Sequence, residues 1–194
     1  MEDDWITNFF DRSRIVSNAN MQQLWSRVLA GEANLPGTFA KRTVNVLADL
    51  DKRDADLFTT LCGFGWMIDD NVVPLVFDVQ NRIYTGQAVT FASLAQLEAL
   101  GLVTLGDAAG FKRVELPEKA TVFYYGRPLE LTFPNASQNE LQLGKVLLTQ
   151  AGQELAAICG SKPVDGFWEF MLAKWEKEGL IPSKDTTASC GTSS

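Results

Sequence analysis

The sequence predicts an α+β fold: an N-terminal layer of helices on a core with an enlarged antiparallel β-sheet, closed by a C-terminal amphipathic helix. Three observations carry that reading. Residues 21–62 hold the densest run of helix periodicity and capping signals, residues 121–148 hold three β-rich runs parted by turn residues, and residues 164–175 return to an apolar stripe of helical period. The expected division is a helical layer over 1–65, an α+β core over 66–160, a terminal helix over 161–181 and a disordered tail over 182–194, all in one compact unit.

In the helical layer, Trp5, Ile6, Phe9 and Phe10 form the apolar edge of a short leading helix docked on the core. Met21, Leu24, Trp25, Val28 and Leu29 then recur at the spacing of one helical face, which places Trp25 in the core. Ser17, Asn18 or Asn20 can cap the start of this helix, and Gly31 is expected to end it in a left-handed conformation. Pro36-Gly37 breaks the chain, and Thr38 is the expected cap of a helix whose inner face is Phe39, Thr43, Val46, Leu47 and Leu50. Asp51, with Asp54 three residues on, opens a third helix whose inner face is Leu57, Phe58, Leu61 and Cys62.

The run Leu24-Trp25, Leu29-Ala30-Gly31-Glu32, Pro36-Gly37-Thr38-Phe39 and Arg42-Thr43 resembles a bacterial family catalogued only as a domain of unknown function. The resemblance implies no activity, cofactor or site residue. It spans about Asp4 to Cys159, and it leaves Met1 as either a boundary or the start of a short member.

Composition bounds the class. The chain has 194 residues, enough for a sizeable core, with 46% hydrophobic and 21% charged content, as in ordinary soluble domains. No apolar run approaches a membrane span, and the acidic, aromatic N-terminus is unlike a signal peptide. The three cysteines at 62, 159 and 190 show no paired spacing, so the expected compartment is a reducing cytoplasm. Net charge is −7 and the excess acid lies after Arg53, which argues for solubility and against nucleic acid as a partner.

Further along, residues 63–73 are expected to be irregular. Gly63-Phe64-Gly65 lacks the third glycine of a dinucleotide loop, and Asp69-Asp70 reads as a solvated loop rather than a metal site. Pro74–Val79 reads as a strand, with a turn at Gln80-Asn81 and a short return through Ile83-Tyr84. Thr90 caps a helix running to Leu100-Gly101, and Thr121–Tyr125, Leu129–Phe133 and Leu141–Leu148 read as strands. Leu97-Glu-Ala-Leu-Gly-Leu-Val103 followed by Leu148-Thr-Gln-Ala-Gly-Gln-Glu-Leu155 resembles the back half of winged-helix domains, with extra strands inserted between the two motifs. That resemblance implies nucleic-acid binding, but the helix over 91–100 has no Lys or Arg, and only Gln96 suits base reading. Lys41, Arg42, Lys52 and Arg53 are weak nucleic-acid candidates that could form a small basic patch; a solvated face is the plainer reading.

No catalytic, cofactor or metal residues are expected. The chain has no His, which removes Ser-His-Asp, Cys-His and His-metal chemistry; Cys62 and Cys159 read as small buried hydrophobes on helix faces, and a spatial pair of carboxylates stays open. Tyr124-Tyr125 reads as cross-strand packing, with base stacking or a pocket wall as the alternatives.

Val164, Phe167, Trp168, Met171, Leu172 and Trp175 share one stripe of the terminal helix, which Gly179 stops. The last five are candidate interface residues, either buried against the helical layer or forming a homodimer contact. The functional expectation is a non-enzymatic module acting through contact with a protein partner or a second copy. The alternatives are a winged-helix nucleic-acid binder, as a regulator or phage-defence component, and a carboxylate-dependent enzyme.

Overall fold

The starts of the second, third and fourth helices each have a side-chain acceptor for an unpaired N–H group, and the first has none. The computed structural model describes residues 2–14, 16 and 18–182 and gives α1 (Asp3–Ser13), α2 (Ala19–Asn34), α3 (Lys41–Asp49) and α4 (Lys52–Cys62). Of the three cap candidates for α2, Asn18 accepts from Met21 N–H at 3.3 Å; Ser17 lies outside the described residues. Asp51 and Asp54 cap α4 reciprocally, at 2.9 and 3.0 Å. Trp25 is 3% exposed and meets the Phe9 ring of α1 edge-on at 5.1 Å.

Two expectations in this layer are corrected. Gly31 does not end α2, which continues to Asn34. Its missing side chain instead makes room for Phe39: a Cβ there would lie 2.6 Å from Phe39 Cε2. Thr38 does not cap α3 either; its hydroxyl donates to the Leu35 carbonyl. The cap comes from a distant residue, because the Glu154 carboxylate accepts from Ala40 N–H at 2.8 Å and from the Thr43 hydroxyl at 2.6 Å. The inner face of α3 accordingly includes Val44, fully buried, while Val46 is half-buried.

The stretch over 63–73, expected to be irregular, is a β-hairpin. β1 (Gly65–Ile68) and β2 (Asn71–Pro74) pair antiparallel, and the Asp69-Asp70 turn has φ of 46° and 64°. Two successive positive φ values match the right-handed twist of the flanking strands. The expected strand over 74–79 therefore ends at Pro74; beyond it Val76 makes a single parallel bridge to Gly144. The expected return through Ile83-Tyr84 is a short helix, α5 (Arg82–Thr85), capped by Asn81.

The remaining elements are α6 (Phe91–Ala99), β3 (Val103–Leu105), β4 (Phe111–Leu116), β5 (Lys119–Tyr124), β6 (Arg127–Thr132), β7 (Asn139–Gly144), β8 (Val146–Leu148), α7 (Gln150–Ala156) and α8 (Phe167–Lys177). Thr90 caps α6 in a reciprocal box with Ser93, and Thr149 caps α7. The two motifs at 97–103 and 148–155 meet: β3 pairs with β8, the Thr149 hydroxyl donates to Gly101 O at 2.6 Å, and any Cβ on Gly152 would collide with the Leu102 carbonyl. Between them lie four strands, of which β4 had no expectation and the run over 141–148 is split at Gly144, φ +87°. β4 pairs with β7, and β2-β1-β5-β6 form a four-stranded sheet. The fold is α+β.

The C-terminal stripe is covered by the sheet rather than by the helical layer. Trp66 of β1, fully buried, stacks on Trp168 at 5.2 Å and on Tyr124 of β5 at 5.1 Å, and meets Trp175 edge-on at 4.7 Å. Leu180, past Gly179, accepts from Thr132 N–H at 2.8 Å and fastens the end of the helix to β6. The buried apolar side chains form one cluster from Trp5 to Leu180.

Trp66 is the ring all three partners share, so Trp66→Ala leaves a cavity they cannot jointly fill. The expected loss is about 3–5 kcal/mol, measured by urea denaturation followed by circular dichroism; a loss below about 1 kcal/mol would contradict this packing.

Candidate functional site

Side chains on a strand alternate between faces, and on β1 and β5 that alternation divides the aromatic residues in two. Trp66 and Tyr124 point into the core; Met67 and Phe123, paired across the strands, point outward and are each 40% exposed. Tyr125 and Gly126 form the β5–β6 turn with φ of 49° and 79°, and Tyr125 leans back over the same face, 44% exposed. Its hydroxyl bridges the Ser161 hydroxyl at 2.7 Å and the Cys62 carbonyl at 3.2 Å.

Together Met67, Phe123 and Tyr125, with Val72, Ala156 and Cys62, line a cleft of about 310 Å³. Its lining carries no charged side chain. That volume is at the small end of ligand sites and suits one bulky apolar group.

Behind the cleft two cysteines meet. Cys62 is the last residue of α4 and is 3% exposed; Cys159 lies three residues past the end of α7 and is half-buried. Both are free thiols; Cys159 donates to the Ala156 carbonyl at 3.4 Å, and each thiol acts on the titration of the other. The hydrogen bond from Cys62 is the main reason the Cys159 thiol is pushed down to about 6; burial opposes it, and donors from Ser161 and Thr59 assist. Cys62 moves the opposite way, well above an ordinary thiol, through that same hydrogen bond and its burial. Cys159 opens onto a second cavity of about 290 Å³ whose walls include Arg27, Lys52, Asp56 and Thr59.

The buried carboxylates are engaged structurally. Glu32, 3% exposed, accepts from Gly37 N–H at 2.7 Å and Phe39 N–H at 3.0 Å. Asp54, 6% exposed, belongs to the α4 cap and accepts from the Gln96 amide. Among the described residues no group of three Cys, Asp or Glu side chains is placed to hold a metal ion.

The residues singled out from sequence are placed as follows. Phe167, Met171 and Trp175 are fully buried and Trp168 nearly so; Leu172 alone of the five is half-buried. Arg127 lies over the Trp168 ring at 3.8 Å. Lys41-Arg42 and Lys52-Arg53 are exposed and open α3 and α4 respectively. Residues 43–49 of α3, roughly 10 Å of helix, separate the two pairs along the chain. Lys52 is 3.8 Å from Asp56. Gln96 is occupied by Asp54.

The match to known families completes the description. The family model described as "Protein of unknown function (DUF2806)" matches residues 1–172. The chain belongs to that family. No curated protein and no solved structure matches it. The DUF2806 match takes in the cleft, both paired cysteines and the first half of α8. Met67 and Phe123 carried no signal as a pair, because only the β1–β5 register brings them together. Cys62 and Cys159 likewise come together only through the fold. The 190 position, the third cysteine, lies in residues 183–194, outside those described.

The lowered Cys159 pKa has a readable consequence. The thiolate is the nucleophile, so alkylation of Cys159 should stay level from pH 8 to pH 7 and fall to about half near pH 6. An ordinary thiol, with a pKa of about 8.5, loses close to tenfold per pH unit over the same range. Iodoacetamide labelling read by peptide mass mapping distinguishes the two; a tenfold fall per unit at Cys159 would contradict the hydrogen-bonded arrangement.

Proposed function

We propose that this DUF2806 chain is a non-enzymatic interaction module whose apolar cleft receives a bulky uncharged side chain from a protein partner. The observation that carries the reading is the outward trio of Met67, Phe123 and Tyr125. Met, Phe and Tyr are the residue types enriched in the buried centres of protein interfaces, where charge is depleted. The cleft has both properties, and its floor is held by the Tyr125 hydrogen bonds, so little ordering cost attends binding.

The terminal stripe, the other expected contact surface, has its large side chains covered by Trp66 and Tyr124. A nucleic-acid role draws less support, since α6 offers no basic side chain and its one amide suited to base reading is hydrogen-bonded to Asp54. Among the described residues no helix is long and apolar enough to cross a membrane.

A photo-crosslinking residue at position 67, introduced in cells, tests the proposal. One discrete protein adduct is expected, lost on Phe123→Asp and absent when the probe is moved to Lys177. Equal labelling from both positions, or no adduct at 67, would count against it. A salt titration against duplex and single-stranded nucleic acid separates the alternative: tight binding that weakens steeply with salt would overturn the proposal.

A further inference from the structure

The two cysteines differ in access yet are brought together by Tyr125, whose hydroxyl reaches the Cys62 carbonyl and the Ser161 side chain two residues past Cys159, and the chain around them is tied down on both sides. The Tyr124 hydroxyl donates to Gly63 O at 2.8 Å and accepts from Val164 N–H at 2.8 Å. The Tyr125 hydroxyl spans from the Cys62 carbonyl to the Ser161 hydroxyl. Arg27 donates to Ile158 O at 2.6 Å. These bonds hold the end of α4 against residues 158–164, with Cys62 and Cys159 between them. Cys159 lines the cavity walled in part by Arg27, Lys52 and Asp56, whereas Cys62, 3% exposed, touches only the back of the apolar cleft. Cys159 is followed by Gly160 at φ +75°, and residues 160–164 lie outside helix and strand. That segment, rather than α4, is the part that would shift for the two sulfurs to close to a bond of about 2.05 Å.

We propose that Cys159 and Cys62 form a dithiol site for small hydroperoxides, in which Cys159 is oxidised first and Cys62 resolves it to an intramolecular disulfide. In the first step the Cys159 thiolate attacks one peroxide oxygen. The S–O bond forms, the O–O bond breaks, and the leaving hydroxide or alkoxide takes a proton to become water or alcohol. In the second step the Cys62 sulfur attacks the Cys159 sulfenic acid. The S–S bond forms, the S–O bond breaks, and the departing hydroxide leaves as water with the Cys62 proton. Two thiols lose two electrons and the hydroperoxide gains them. The lowered titration of Cys159 supports its place as the attacking sulfur, and the raised one of Cys62 keeps that thiol protonated until the sulfenic acid stands beside it.

The test treats the full chain with stoichiometric hydrogen peroxide and maps its peptides without reduction. A loss of about 2 Da, with the peptides holding residues 62 and 159 linked and dithiothreitol restoring both thiols, is the expected result. Cys62→Ala should trap a dimedone-reactive sulfenic acid on Cys159. Cys159→Ala should slow the oxidation of Cys62 by at least about tenfold, since the withdrawn thiol loses its entry point. A thermal melt of each variant checks that it is folded, and the unmodified chain decides the matter by itself should either variant unfold. A Cys159 that stays reduced, or one that pairs with Cys190 or with another chain in place of Cys62, would overturn the proposal.

Discussion

The loop from Pro36 to Ala40 is suspended between two carboxylates, and the N-terminal half of the molecule is arranged around that suspension. Glu32, one turn back along α2, takes the N–H groups of Gly37 and Phe39; Glu154, from α7 far along the chain, takes the next N–H at Ala40 and the Thr43 hydroxyl. Trp5 adds a donor to the Phe39 carbonyl at 2.7 Å. Hydrogen bonds to charged groups contribute roughly 1.5–3 kcal/mol each, and an orphaned buried N–H costs about 1–3 kcal/mol, so these residues fix the loop far more firmly than its own backbone could. α3 opens on Lys41-Arg42, the wrong sign for a helix start, and the Glu154 carboxylate on the N–H of its N-cap residue, Ala40, offsets that. One side chain thereby ties α1, α2 and α3, through their common loop, to the helix that follows the last strand.

The same logic of close fit runs through the other half with aromatic rings in place of carboxylates. Trp66 lies among Tyr124, Trp168 and Trp175, which joins the hairpin, the long sheet and the terminal helix at one point. Because a strand alternates, an inward Trp66 and Tyr124 require an outward Met67 and Phe123. The cleft is thus the reverse side of the packing that anchors α8, and Tyr124 and Tyr125, neighbours in sequence, hold the core and the cleft respectively.

Much of the helical architecture could be read from the residues, because it is local: Asp51 with Asp54, Thr90 with a helix behind it, the Phe167–Trp175 stripe and Gly179 all act within a turn or two. The likeness carried by Leu29–Glu32 and Pro36–Phe39 was legible as a pattern but not as a mechanism. Gly31 looked like a stop because a glycine near a helix end usually is one; its real role, admitting the Phe39 ring, depends on a residue in the next element. Thr38 was an attractive cap, but a carboxylate more than a hundred residues away took its place. The hairpin at 65–74 has a weak sequence signal because Asp-Asp is an uncommon turn for positive φ, where Asn-Gly is the common one. The cleft and the thiol pair were illegible for one reason: each exists only where distant strands and helices meet.

The claim on which all this rests is that the Glu32 and Glu154 carboxylates, and not the turn's own conformation, hold the loop. Native-state hydrogen exchange of the Phe39 and Ala40 amides tests it most directly. The account predicts that both exchange only through global unfolding in the parent chain, and that Glu32→Ala releases Phe39 while leaving Ala40 slow. Phe39 and Ala40 amides that exchange at the rate of exposed loop positions in the parent chain would contradict it.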